Sequence, residues 1–269
     1  MLSDIQGSLS MGFVTGGAGT SGLEPLLIRA LGPSIGPGSV FNVPDPTLRV
    51  VEQSTHSTLA TDAGWSAPAG NATAVQKADA ATGAFALTNT SSLDSALLGN
   101  LAPVTGGSSA IGAGKSGDGG YALTEVCDAV NYTSVSARLI NLSCLTQIAG
   151  GGPLDVGFVV GGATSKTVLV RVGGPALNTL YGIGGVMPDP QLQVSPLSSS
   201  STVLASDAGW GGNSQIATVA ASVGAYTWPS PTSLDSAALV TLAPGAYTVQ
   251  INGATSDGGT VLVEIYDVP

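Results

Sequence analysis

The chain repeats itself. Gly12-Phe13-Val14-Thr15-Gly16-Gly17 returns as Gly157-Phe158-Val159-Val160-Gly161-Gly162, and Leu26-Leu27-Ile28-Arg29-Ala30-Leu31-Gly32-Pro33 as Val168-Leu169-Val170-Arg171-Val172-Gly173-Gly174-Pro175. Val43-Pro44-Asp45-Pro46 matches Met187-Pro188-Asp189-Pro190, and Leu59-Ala60-Thr61-Asp62-Ala63-Gly64-Trp65 matches Leu204-Ala205-Ser206-Asp207-Ala208-Gly209-Trp210. Ser92-Leu93-Asp94-Ser95-Ala96 returns as Ser233-Leu234-Asp235-Ser236-Ala237, and Asp118-Gly119-Gly120 as Asp257-Gly258-Gly259. The spacing between matched positions changes by only a few residues along the chain. Self-similarity at this period means two copies of one folding unit, each within the usual size of a domain. The expected division is domain 1 over residues 1–130, a connector over 131–148 and domain 2 over 149–269.

Each copy reads as strands. Leu26–Leu31 and Val168–Val172 are apolar runs that stop at Gly-Pro, as buried strands do. Thr47–Val51 and Gln191–Val194 alternate after a Pro-Asp-Pro turn. Ala246–Ile251 alternates clearly, and Tyr121–Cys127 and Thr260–Tyr266 follow a Gly-Gly turn. Short strands at this spacing predict an all-β chain of two tandem homologous antiparallel β-sandwich domains, jelly-roll or Ig-like. One Ala-rich stretch per copy breaks the pattern. Ala72–Ala81 and Ser214–Ser222 read as short helices, with Asn71 and Asn213 near the N-caps.

Composition narrows the function classes. Seven Lys and Arg against 17 Asp and Glu give a net charge of -10, so the basic stripe that a nucleic-acid partner requires is missing. No run of about 20 apolar residues is present to span a bilayer as a helix. A Ser-His-Asp triad would have to use the single histidine, His56, whose Ser/Thr-rich surroundings read as a solvated loop. No paired carboxylates stand in a recognisable catalytic motif. The expectation is a non-enzymatic protein. Few Lys and an abundance of Ser, Thr, Gly and Ala suit a secreted bacterial surface protein. The opening Met-Leu-Ser-Asp carries no export signal, so a signal has been removed or the route is a different one.

The second copy in particular resembles a known family. Asp189-Pro190-Gln191-Leu192, then Leu204 to Trp210, then Leu242-Ala243-Pro244-Gly245-Ala246-Tyr247-Thr248-Val249, is similar to the bacterial pre-peptidase C-terminal type of β-sandwich, and more so to a repeat of large surface proteins of Verrucomicrobia-like bacteria. The resemblance covers nearly the whole chain and blurs at Pro103-Val104-Thr105-Gly106-Gly107. It implies an extracellular, non-catalytic appendage and carries no catalytic residues.

Several positions are candidate sites. Acids recur at Asp45/Asp189, Asp62/Asp207, Asp94/Asp235, Asp118/Asp257, Glu125/Glu264 and Asp128/Asp267. Their repetition suggests one Ca2+ site per domain; their turn contexts suggest bonds to the local backbone instead. Trp65 and Trp210 read as core cover, with a sugar platform as the alternative. Arg29 and Arg171, inside apolar strands, call for carboxylate partners, with Glu125/Glu264 or Asp128/Asp267 in view. Cys127 and Cys144, in an exported chain, are expected to pair, closing a loop worth about 3 kcal/mol; two buried thiols are the alternative. Asn71, Asn89, Asn131 and Asn141 lie in glycosylation sequons.

The connector suggests a partner. Leu2-Ser3-Asp4-Ile5-Gln6 aligns with Leu142-Ser143-Cys144-Leu145-Thr146, making the N-terminus a second copy of the connector. If the connector packs on the domain before it, the N-terminal copy lacks that surface and finds it on domain 2 of another molecule. Leu2, Ile5 and Leu9 would dock there, near Tyr266, head to tail. The leading expectation is a self-assembling extracellular fibre subunit bearing glycans. The alternative is a carbohydrate-binding or adhesive module of a larger secreted protein.

Overall fold

A computed structural model describes residues 2–5, 7–36, 38–102, 104, 106–129 and 135–269. The chain is predominantly β, with antiparallel pairing between all the named strands whose registers are given below. It divides into two compact units, Met1–Ile140 and Asn141–Pro269.

The first unit contains β1 (Leu2–Ile5), β2 (Ser8–Gly16), β3 (Glu24–Leu31), β4 (Pro46–Glu52), β5 (Thr58–Asp62), β6 (Ser95–Leu101), β7 (Ser108–Gly114) and β8 (Gly120–Asp128). They form two sheets, ordered β1-β8-β3-β6 and β2-β7-β4-β5. Every pairing within these two sheets is antiparallel. The sheets face each other: a Cβ built on Gly112 of β7 would lie 3.2 Å from Ala30 Cβ of β3. β3 is buried almost throughout because both its faces are covered. On the outer face Leu27 and Leu31 pack with Trp65, Leu87 and the helix α1 (Asn71–Thr82) through Val75 and Ala78. β2, covered on one face, alternates buried and more open residues, the pattern of a half-buried strand.

The second unit contains most of β9 (Arg138–Ile148), then β10 (Leu154–Val160), β11 (Lys166–Gly173), β12 (Pro190–Pro196), β13 (Ala205–Asp207), β14 (Ser236–Leu242), β15 (Gly245–Gly253) and β16 (Gly259–Val268). Its sheets run β9-β16-β11-β14 and β10-β15-β12-β13, the same order again. The expected connector is therefore the first strand of a sheet: Asn141–Ile148 pairs with β16 from Asn141↔Tyr266 to Ile148↔Gly259.

One expectation about helices is corrected. The second unit has two helices, α2 (Pro175–Tyr181) and α3 (Ser214–Ser222), where one was expected. The Gly-Pro pair that reads as a stop signal starts α2, since proline tolerates the first helical turn, where no intrahelical N–H bond is required. In the first unit the same step yields only a 3-10 turn, Pro33–Ile35. Asn213 accepts hydrogen bonds from the Gln215 and Ile216 amides, as an N-cap should. Asn71 does not cap: Gly70 stands at that position, and Asn71 Nδ2 instead donates to the Trp65 carbonyl at 2.7 Å.

Candidate functional site

The recurring charged residues form a buried polar network of similar layout in both units. Arg29 on β3 stands opposite Glu125 on β8, and Arg171 on β11 opposite Glu264 on β16. Arg29 Nε and Nη2 both donate to Glu125 Oε2, the first at 2.9 Å. Its Nη1 reaches Asp79 Oδ1 at 2.9 Å and the Phe85 carbonyl at 2.7 Å, and its guanidinium lies 4.7 Å from the Phe85 ring centre. Arg171 is held differently. Its Nη1 lies 3.1 Å from Glu264 Oε2, its Nη2 donates to the Tyr226 carbonyl at 2.8 Å, and the Tyr226 and Trp228 rings stand 4.4 Å from it. Burial holds the Glu264 carboxyl above the usual carboxylate range, against the opposing pull of Arg171 and of the Tyr266 hydroxyl, which donates to it at 2.6 Å. Cation–π contact with two rings takes the place of the second carboxylate.

Asp94 and Asp235 are wholly buried and, from the residues just before β6 and β14, act as caps on turns far away in the chain. Asp94 accepts from the Gly32 and Ser34 amides and the Ser34 and Ser92 hydroxyls. Asp235 accepts from the Gly174 and Ala176 amides and the Ser233 hydroxyl. Each carboxylate meets main-chain amides that the starting helical turn leaves without an intrahelical partner, and these favour negative charge there. Asp62 and Asp207 accept from the Ala96 and Ala237 amides. Ser95 and Ser236 donate to the Pro46 and Pro190 carbonyls. Asp45 and Asp189 present main-chain carbonyls to the Lys115 and Ala254 amides. These matched acids serve separate turns, and among the described residues no three His, Cys, Asp or Glu side chains converge as a metal site. The expected bonds to local backbone are met at Asp62, which also accepts from the Gly64 amide, whereas the Asp94 and Asp235 carboxylates bind amides far away in the chain.

Trp65 is wholly buried, its Nε1 donating to the Asn89 carbonyl and the Ser92 hydroxyl. Trp210 is partly buried, edge-on to Trp228 at 5.2 Å. Neither ring forms a flat exposed platform. His56 is an exposed loop residue whose amide donates to the Glu52 carbonyl.

Other expected site residues are placed otherwise. Cys127 and Cys144 are free thiols. The expected disulfide is not formed in this structure: Cys127, on β8, pairs in register with Leu27, and Cys144, on β9, with Val263. Burial pushes both thiols up to about 12. The N-terminal docking is also corrected. β1 pairs with β8 of its own unit, from Leu2↔Leu123 to Ile5↔Gly120. Leu2 thus corresponds to Leu145 rather than Leu142, and the partner strand that it needs lies within its own fold. Leu9 is buried on β2, and Tyr266 is buried in the core of the second unit; neither presents a docking surface. Among the sequons, Asn89 is exposed, Asn71 Nδ2 is engaged by Trp65, and Asn141 Nδ2 donates to the Ile265 carbonyl at 3.2 Å. Asn131 lies outside the described residues.

Five participants escape a sequence reading. Asp79 looks like a solvated helix residue in an Ala-rich stretch. Phe85 and Tyr226 look like loop aromatics. Glu24 and Lys166 occupy the same position at the start of β3 and β11; only their matched place ahead of the arginine in the same strand marks them.

No protein-family model matches the chain, and no curated protein matches it. Among solved structures, the crystal structure of the infectious bursal disease virus VP2 subviral particle aligns at 12% identity with a TM-score of 0.12, over 100% of this chain and 76% of that one. A likeness of that strength carries no argument about fold or function.

Proposed function

We propose that this chain is a non-enzymatic structural protein of the cell exterior, made of two tandem copies of one jelly-roll module and assembling into a fibre. One observation carries the reading: the charged residues that recur between the copies are engaged inside the fold. Arg29 and Arg171, Asp94 and Asp235, and Asp62 and Asp207 hold strands and turns together in both units. What has been kept alike between the copies is architecture, as in stacked modules of a surface protein. The resemblance to repeats of bacterial surface proteins agrees with it, and the exposed Asn89 is the sequon best placed to bear a glycan.

A second reading, a carbohydrate-binding module, draws on one feature. Phe41 and Tyr121 are both exposed, at 71% and 46%, and are joined by the Tyr121 amide donating to the Phe41 carbonyl at 2.8 Å. Exposed rings of this kind can stack on a sugar. Negative-stain microscopy of the purified chain separates the two. Ordered linear polymers are the expected result. Monomers that bind a glycan array, and lose that binding in Phe41→Ala, would favour the second reading.

A further inference from the structure

The two units differ at one end of the sandwich. In the first unit, the end of β2 is covered by residues 135–140, which belong to the same unit. A Cβ built on Gly16 would lie 4.0 Å from Ile140 Cδ1, and one on Gly17 2.7 Å from Arg138 Nη1. The Leu139 amide donates to Asp128 Oδ1 at 3.0 Å, and the Ser21 amide to the Val135 carbonyl at 3.1 Å. Ser21 and Ser136 form a parallel bridge. Val14, near the end of β2, is partly buried.

The counterpart in the second unit is the end of β10. Val159 stands where the first unit has Val14, and it is 66% exposed. Gly161 and Gly162 stand where the first unit has Gly16 and Gly17, and a Cβ on either would meet open space. β10 ends its sheet, with no strand on its outer edge among the described residues.

We infer that the β10 edge over Val159–Gly162 is an acceptor for an extended strand of a second polypeptide bearing another module of this repeat, with the basic-aliphatic-aliphatic chemistry of Arg138-Leu139-Ile140. The occupant is argued from the equivalent edge, where that segment is seated. An open strand edge offers main-chain donors and acceptors that a further strand satisfies. A donor with a cation also suits a chain of net charge -10. Addition of this kind joins different surfaces on the two partners, so it extends a series rather than closing a pair. The inference rests on the structural-module reading and names the surface through which such modules join.

The test titrates a peptide of residues 135–142 (Val-Ser-Ala-Arg-Leu-Ile-Asn-Leu) into the full chain and follows hydrogen exchange. Saturable binding with protection over residues 156–162 is expected. A scrambled peptide, and the variants Val159→Lys and Gly161→Arg, should bind roughly tenfold more weakly or worse, a loss of about 1.4 kcal/mol or more. No protection over 156–162, equal binding of the scrambled peptide, or unchanged binding by folded variants would each overturn the acceptor. The exchange result on the unmutated chain stands whether or not the variants fold. Its failure leaves the structural-module reading intact, because that reading is decided by microscopy and the glycan array.

Discussion

Lys166 Nζ lies 2.8 Å from Asp267 Oδ2 between β11 and β16, and the same two positions in the first unit hold two acids, Glu24 and Asp128. Glu24 is wholly buried. Its burial, and next the Asp128 charge, raise its carboxyl from 4.5 to about 7. The folded chain therefore holds a proton that the unfolded chain releases. The stabilisation is complete below about 4.5 and is lost as pH rises through about 7. The melting temperature of the chain should fall by a few degrees between about pH 5 and pH 8. Glu24→Gln should remove that slope; an identical slope in the variant would show that another group is responsible.

The two arginines should differ in cost. Arg29→Ala leaves Asp79, wholly buried, and Glu125 without their cation, a loss of about 3–5 kcal/mol. Arg171→Ala leaves one acid, Glu264, which burial already inclines toward the neutral form, so about 1–3 kcal/mol is expected. Urea unfolding of both variants measures the difference. An equal or reversed order would mean that the Tyr226 and Trp228 rings contribute more than the second carboxylate.

Asp94→Ala and Asp235→Ala should each cost about 2–4 kcal/mol, because each removes the acceptor of two main-chain amides and at least one hydroxyl. The Asn variants, which retain one acceptor oxygen, should cost less. Thermal melts of the four variants check the ranking.

Both thiols should react slowly in the folded chain, since burial lifts each to about 12 and leaves little thiolate at neutral pH. Alkylation by iodoacetamide should go to completion only after unfolding, and a reductant should leave the melting temperature unchanged. A drop on reduction would reveal a disulfide.

Much of the fold is readable in the residue order, for identifiable reasons. Alternation and apolar runs place the strands, because a strand shows its faces with period two. That Arg29 and Arg171 take a carboxylate partner from Glu125/Glu264 or Asp128/Asp267 is legible, because a charge in an apolar strand needs a partner and matched copies limit the choice; that it is the glutamate depends on strand register. Asn213 is legible as a cap because capping is a local bond. Asp79 is not, since nothing near it in the chain reveals that α1 turns it toward Arg29. The free thiols likewise depend on which strands Cys127 and Cys144 join.

The duplication, the strand-rich architecture and the acidic, sparsely charged character follow from the order of residues alone, since each is carried by local pattern or composition. Which sheet the connector enters, which body β1 completes, and which edge is left open at β10 emerge only from the folded chain. The main-chain groups of one strand edge can pair with those of many others, so the partner is chosen by long-range packing of the whole sandwich.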